Sequence, residues 1–394
     1  LTKIGNNLIP TSPQPIIKTL GLDEIDVVNK VIINSKPFVK GSVLEPNSAY
    51  SVTLQVSGKT FPVQLDETIL DASLKAGIIL AYGCKNGACG SCKAKVIDGN
   101  VTMGPHNAST LTEEEKQRKV TLLCCSFPQS DCLISAREIE AGDIPIKKIP
   151  CRVNSLEQSA ADVMVLKLQL PSTEKFLFRA GQYIEFLLKD GVRRAYSIAT
   201  PPHHEGPLEL HIRHMPGGLF TDHVFGANPN SQMKVKDILR FEGPMGSFFL
   251  REDSQKPMIF IASGTGFAPI QAIIEHSLHE KMTRPIHLYW GGRRPQDLYF
   301  HEKCLVWAKE NSHIKYIPVI SNALEEDQWN GRSGFVHNAA MEDFPNMSEF
   351  QVYACGAPIV ISSAQKDFTA KCHLPEDEFY ADSFTSAADL VNQS

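Results

Sequence analysis

The sequence predicts a multidomain chain of mixed α+β and α/β class, with three modules in series. Three observations predict it. Six of the ten cysteines are crowded between Cys84 and Cys132. Short apolar runs broken by turns follow from position 161 to 243, the pattern of an antiparallel β-barrel. From Pro257 the pattern changes to apolar strands alternating with helical stretches, which means a parallel sheet. At 394 residues the chain is too long for one small core.

Composition narrows the function classes. The chain is 42% hydrophobic and 21% charged, with a formal net charge of -5, so no nucleic-acid or polyanion partner is expected. No apolar run is long enough for a membrane span. Positions 1–15, LTKIGNNLIPTSPQP, lack the apolar core of a secretion signal. Leu1 is not an initiator Met, so a start further upstream is expected. Residues 1–48 carry some strand-like alternation but no motif, and are expected to be an N-terminal extension of unknown role. The cysteines are clustered, unlike those of a disulfide scaffold, so a reducing cytoplasm is the expected compartment.

In the first module, SVTLQV and TFPVQL flank SGK as a hairpin, and ETILDASLKAG reads as a short helix ending at Gly77. GCKNGACGSCKAKV follows. Cys84, Cys89 and Cys92 give C-x4-C-x2-C, and TLLCCS offers Cys124 and Cys125 as a fourth ligand. This is the plant-type [2Fe–2S] spacing. A structural zinc site is the alternative, but such sites usually show two C-x2-C knuckles. Gly87 and Gly90 would let the loop bend and turn N–H groups toward sulfur. Thr112 with Glu115 forms a capping box before another helix. Together these elements resemble a plant-type ferredoxin domain, a β-grasp fold, over residues 49–140. The resemblance implies Cys124 as the fourth ligand, since the family places an apolar strand before it and a small or polar residue after it.

AGDIPIKKIP, 141–150, reads as a linker. The barrel expected over 151–250 uses the runs ADVMVLKLQL, GQYIEFLLK, RRAYSIAT, LELHIRH and ILRFEG. It contains Arg194-Ala195-Tyr196-Ser197 and Pro216-Gly217-Gly218-Leu219-Phe220-Thr221. In this order the two motifs resemble the flavin site of the ferredoxin–NADP reductase superfamily, and GPMGSF resembles its closing segment. The likeness implies FAD. Arg194 would grip its pyrophosphate, Tyr196 would pack on the isoalloxazine, and Ser197 would reach the N5 edge. Gly217 and Gly218 would admit a phosphate, with Thr221 adding a hydroxyl.

The last module, 251–394, begins with the strand PMIFIA. Gly264-Thr265-Gly266 then precedes a helix, where a pyrophosphate would sit. Pro269 replaces the third glycine of a full dinucleotide fingerprint. GTGFAP and Cys355-Gly356-Ala357-Pro358 instead match the nicotinamide half of the same superfamily. That likeness implies that Cys355 and Gly356 shape the hydride-transfer site, Cys355 not as a nucleophile. It also implies that an aromatic of EFYADSF covers the flavin: Phe384, with Asp382 nearby, or alternatively Phe379. Ser321-Asn322 stands where NADPH enzymes often carry Ser-Arg, which points to NADH, although Arg293 and Arg294 weigh the other way.

The order of modules implies an NADH-dependent iron–sulfur flavoprotein reductase that passes electrons through FAD and a [2Fe–2S] cluster to a partner protein. TLLCCS, GFVH at 334–337 and EFYADSF resemble most the CDP-6-deoxy-3,4-glucoseen reductases, whose acceptor is an iron–sulfur dehydrase of a CDP-sugar. The reductase component of an aromatic-ring or hydrocarbon oxygenase is the runner-up. A redox-sensing Fe–S module is the non-enzymatic reading, and it gives no reason for intact GTGFAP and CGAP loops.

Overall fold

Alternation makes the first hairpin. Ala49–Leu54 (β1) and Thr60–Gln64 (β2) pair antiparallel, with Val52, Leu54, Phe61 and Val63 turned into the core. The structure is a computed structural model and describes residues 49–139, 144–227 and 231–384. The expected 1–48 extension lies outside the described residues. Helix Ile69–Lys75 (α1) starts on Thr68, whose hydroxyl accepts from Asp71 N–H, and ends before Gly77 at φ 75°. Lys93–Asp98 (β3) and Val101–Met103 (β4) precede Glu113–Gln117 (α2). There the expected capping box forms: Thr112 Oγ1 accepts from Glu115 N–H and the Glu115 carboxylate from Thr112 N–H. Val120–Leu122 (β5), Ser126–Pro128 (β6) and Cys132–Ser135 (β7) complete the module. Its main sheet runs β2-β1-β7-β3-β5, with β4-β6 as a separate pair.

The second module is the expected barrel. Its strands are Lys147–Ala160 (β8), Val163–Gln169 (β9), Tyr183–Leu187 (β10), Arg193–Ser197 (β11) and Leu208–Arg213 (β12). Helix Leu219–Phe225 (α3) and strand Ile238–Met245 (β13) follow. Neighbours run β11-β10-β13-β8-β9-β12, and a bridge from Ile198 to Leu210 joins the two ends. One boundary differs from expectation. β8 begins at Lys147, inside the stretch read as linker, because Ile149 and Cys151 continue an inward alternation and pair along β13. Positions 141–143 of that stretch lie outside the described residues.

The third module is a parallel sheet of order β17-β16-β15-β14-β18-β19. Its elements are Met258–Ser263 (β14), Phe267–His279 (α4), Ile286–Gly292 (β15), His301–Glu310 (α5), Ile314–Ile320 (β16) and Arg332–Ser333 (β17). Val336–Asp343 (α6), Gln351–Gly356 (β18), Pro358–Lys371 (α7) and Phe379–Ser383 (β19) complete it. One core, around Phe260, Phe267, Trp290 and Tyr353, covers one face; another, around Ile259, Tyr289, Val352 and Phe368, covers the other. Both faces are buried, so the strands read as continuous apolar runs.

Candidate functional site

The cysteine loop bends sharply between Gly83 and β3. Lys85, Gly87 and Gly90 have φ of 57°, 74° and 76°. At Gly87 a Cβ would stand 2.6 Å from His106 Cβ and 2.7 Å from Cys125 Sγ, so glycine is required. The bends aim main-chain donors at sulfur. Ala88 N–H donates to Cys84 Sγ at 3.4 Å, and the N–H groups of Cys84 and Ser91 donate to Cys89 Sγ at 3.5 and 3.4 Å.

The four expected ligands form two pairs. The Cys84 thiol donates to Cys89, and Cys92 Sγ lies 3.2 Å from Cys124 Sγ. The hydrogen bond from Cys84 holds Cys89 down to about 6 against burial, with the loop N–H groups helping, while the same contact drives Cys84 up. Among the described residues no three His, Cys, Asp or Glu side chains converge on a position for one metal ion. Two thiol pairs supplied with N–H donors fit a two-iron cluster held by four cysteines; a structural zinc needs four ligands around one point. Cys125 Sγ sits 3.6 Å from Cys124 Sγ and under Gly87, so the pairing with Cys92 favours Cys124.

This loop is bound to the other two modules. Tyr82 N–H donates to Ser247 Oγ at 2.9 Å, Ser247 N–H to Tyr82 O at 3.1 Å, and Gly246 N–H to Tyr82 OH at 2.9 Å. Tyr183 OH on β10 donates to Gly83 O at 3.2 Å, and Ser91 Oγ donates to Ala381 O on β19 at 3.0 Å. At Gly83 a Cβ would meet Ala381 O, Asp382 Oδ1 and Cys89 Sγ, each at 3.3 Å. The loop therefore presses on the C-terminal strand where Asp382 stands.

One cavity of about 1570 Å³ joins the expected sites. Cys84 and Cys89 line it, as do Arg194, Ala195, Tyr196 and Ser197 from β11. Gly218 and Thr221, Thr265, and Asp382 with Phe384 complete the expected residues that it brings together. Arg193 is held by Glu185 at 2.9 Å and by Glu242, whereas Arg194 has no carboxylate partner among the described residues. That leaves Arg194 the guanidinium for an anion. Ser197 Oγ is buried, with the Asp382 carboxyl as its polar neighbour. Both groups line the cavity, where a flavin edge could take the hydroxyl in place of the carboxyl. Beside it the Asp382 carboxyl is pushed up to about 7, by burial first and the Cys89 thiolate second, with the Ser197 hydroxyl pulling the other way. At Gly218 a Cβ would stand 2.5 Å from Thr221 Oγ1 and 2.8 Å from Met215 O. Thr221 Oγ1 donates to Met215 O at 2.9 Å, closing the turn that Gly217 opens at φ 83°. Gly217 itself does not line the cavity.

The nucleotide loop works through backbone. Gly264–Gly266 form a 3-10 turn into α4. At Gly266 a Cβ would be 2.1 Å from Cys355 O, and at Gly356, φ 133°, it would be 2.4 Å from Ser263 O. The two glycine loops interlock across β14 and β18. Cys355 is wholly buried in this junction and does not line the cavity, nor do Gly264, Gly266 and Gly356. Burial pushes the Cys355 thiol up, so it is a packed neutral group. Of the two aromatic candidates, Phe384 faces the cavity and Phe379 packs near Phe368. Sequence reasoning missed Arg213, at the end of β12, whose guanidinium abuts Gly264 and pairs with Asp162 at 2.8 Å. Only its place at a strand end beside the turn could have pointed to it.

Family models match each module: a "2Fe-2S iron-sulfur cluster binding domain" over 52–129, an "Oxidoreductase FAD-binding domain" over 150–250 and an "Oxidoreductase NAD-binding domain" over 260–366. The chain is 39% identical over 335 residues to a CDP-6-deoxy-L-threo-D-glycero-4-hexulose-3-dehydrase reductase of Yersinia pestis, covering 85% of this chain and 98% of that one. It is 34% identical to the reductase component 1 of a terephthalate 1,2-dioxygenase from Comamonas, covering 86% and 98%. Among solved structures it is similar to the Amycolatopsis cytochrome P450 reductase GcoB, with TM-score 0.67 and 29% identity over 86% of this chain and 99% of that one.

Proposed function

The chain belongs to the family of iron–sulfur flavoprotein reductases, NAD(P)H-dependent oxidoreductases with [2Fe–2S], FAD and NAD modules, and on that premise we propose that it carries electrons from NADH to an acceptor protein, an iron–sulfur dehydrase of a CDP-sugar. The observation that carries the electron-transfer reading is the single cavity lined by both the cysteine loop and the flavin residues. Bound in that cavity, FAD would supply hydride acceptance and a [2Fe–2S] cluster held by the cysteine loop would supply one-electron transfer.

This chain's residues supply the rest. Cys84, Cys89, Cys92 and Cys124 would hold the cluster. Arg194 would orient the flavin, Ser197 would hydrogen-bond its ring edge, and Phe384 would cover the face on which nicotinamide stacks. Asp382, buried beside Ser197, would hold a proton near that edge. Cys355 acts through the backbone it gives to Gly266. NADH is the proposed donor because Ser321-Asn322 itself carries no cation for a 2′-phosphate and Arg294 is already engaged by Asp327 at 2.6 Å and Glu326 at 2.9 Å, whereas Arg293, which lines the cavity, is the residue that would serve NADPH instead.

The acceptor follows the name of the Yersinia relative; the Comamonas relative, over nearly the same span, supports an oxygenase component as the second reading. Among the described residues no helix is long and apolar enough to cross a membrane, and all ten cysteines are free thiols. A reducing cytoplasm fits those thiols. The test is reconstitution with NADH or NADPH, this protein, and either a CDP-sugar dehydrase or an oxygenase. The expected result is turnover with the dehydrase and a higher kcat/KM for NADH. Turnover with the oxygenase alone overturns the acceptor assignment.

A further inference from the structure

β12 divides its side chains between two modules. Leu208, Leu210 and Ile212 fill the barrel core, so the alternate residues Glu209, His211 and Arg213 face away from it. Gln271 on α4 donates to Glu209 Oε1 at 3.0 Å and to Ala199 O at 3.2 Å. Arg213 abuts Gly264. His211, between them, has its ring nitrogens 3.1 Å from Glu209 Oε1 and 2.8 Å from Tyr299 OH. Burial would raise the Glu209 carboxyl, but hydrogen bonds from His211 and Gln271 hold it down to about 2, so it only accepts. The His211 side chain is wholly buried, and burial lowers its pKa against the pull of Glu209, so the ring is neutral. Nε2–H therefore donates to Glu209, and Nδ1 accepts from the Tyr299 hydroxyl.

Tyr299 leads from there to the glycine turn. Its ring stands edge-on to Trp290, with 5.1 Å between centroids and 89° between planes. Trp290 stacks on Phe267 at 4.0 Å, and its indole N–H donates to Gly264 O at 3.1 Å. Phe267 is the residue that follows Gly266. Both ends of the Gly264–Gly266 turn thus rest on one aromatic stack, and the hydrogen bond between Tyr299 and His211 ties that stack to the barrel.

We propose that His211 is a positioning residue for the reduction of flavin by NADH: through Tyr299 and Trp290 it sets the Gly264–Gly266 turn, and the nucleotide on it, against the barrel that carries the flavin residues. The proposal rests on the NADH-to-flavin reading above. It divides the effects of losing the link. The nucleotide keeps its own contacts with the turn, so its affinity changes little. Its placement over the flavin loosens, so the rate at saturation falls.

The test compares His211→Gln, Tyr299→Phe and the double variant with the unaltered holoenzyme. His211→Gln keeps a donor for Glu209 and gives up the acceptor for Tyr299, whereas Tyr299→Phe removes only the hydroxyl. Tyr316→Phe is the matched control: its hydroxyl lies 3.0 Å from His301 Nδ1, in a pair with no ring contact to Trp290 or Phe267 among the described residues. Stopped-flow reduction of bound FAD over a range of NADH concentrations gives a limiting rate and a half-saturation. Hydrogen exchange of residues 263–267 reports on the turn without turnover. Each single variant should lower the limiting rate about tenfold, with half-saturation and FAD content within about twofold and faster exchange at 263–267. The double variant should also lose about tenfold, because both changes cut the same link. The control should match the unaltered protein. Limiting rates within about twofold of it in both single variants overturn the proposal. So does a loss of about a hundredfold in the double variant, which would make the two side chains independent. A raised half-saturation at an unchanged limiting rate, or loss of FAD, also overturns it. If neither NADH nor NADPH reduces the flavin of the unaltered protein, the NADH-to-flavin reading fails and this proposal falls with it.

Discussion

Cys124 and Cys125 are adjacent in sequence but differ in what their sulfurs can reach. Cys124 Sγ lies 3.2 Å from Cys92 Sγ, and Cys125 lies beyond it under Gly87. Cys124→Ser should therefore lose the cluster, read as iron and sulfide content and the visible spectrum, while Cys125→Ser should keep it. The reverse outcome would assign Cys125 as the ligand. The spacing made the first three cysteines legible, the family's register already pointed to Cys124, and its contact with Cys92 agrees with that reading. The same holds for the aromatic candidates. Phe384 follows the end of β19 and turns to the cavity, whereas Phe379 lies within the strand and is committed to the core. Cys355 was legible as a strand-end residue, but not that its carbonyl, through the close approach of Gly266, is the part that shapes the site.

At the scale of elements, the loop PPHH after β11 meets the end of α4 through two histidines. The His203 and His279 rings stack at 3.6 Å between centroids, 10° from parallel, with His276 at 6.0 Å and held to Glu252 at 3.3 Å. Burial first, then the charges of His279 and His276, lowers the His203 pKa, with Glu280 opposing and His204 adding to it. The fold therefore favours the neutral ring, and the unfolded chain takes up a proton first, at about pH 6.5. This contact contributes above that pH and is lost as pH falls below it. His203→Gln should thus shrink the drop in Tm between about pH 8 and pH 5.5. An equal drop in the variant would show that the pair does not titrate as argued. The strands and the capped helices were legible because alternation and caps leave a local signal. α6 was not, since its eight residues are too few to show a helical period and Phe335 at its N-cap gives no side-chain hydrogen bond. β19 was read only as an aromatic cluster, because both faces of a parallel strand are buried and its pattern does not alternate.

Across the whole molecule, one stack of side chains ties the three modules together. Arg137, which follows β7 in the ferredoxin module, has Cζ 4.7 Å from the Tyr380 ring centroid on β19. Arg251, where the nucleotide module begins, lies 4.5 Å from the same ring and 4.0 Å from Phe249 of the barrel module, and Arg179 of the barrel lies 4.6 Å from Phe249. Tyr353 stacks on Tyr380 at 4.7 Å, carrying the contact into the parallel sheet. A cation over a desolvated ring is worth about 0.5–2 kcal/mol, and one guanidinium here comes from the module that carries the cysteine loop. The backbone bonds of Tyr82 to Ser247 set where that loop touches the barrel, and Arg137 holds the far end of the same module. Arg137→Ala should leave the reduction of bound flavin by NADH unchanged, because no residue of the nicotinamide site is disturbed. It should slow the arrival of electrons at the cysteine loop, because the gap at Gly83 and Asp382 is then held from one end. Stopped-flow absorbance resolves the two steps by wavelength, and Arg137→Lys should restore only part of the rate, since an ammonium does not stack as a guanidinium does. Equal slowing of both steps would mean that the stack supports the fold as a whole, and full activity in the alanine variant would mean that the loop contacts alone hold the ferredoxin module in place.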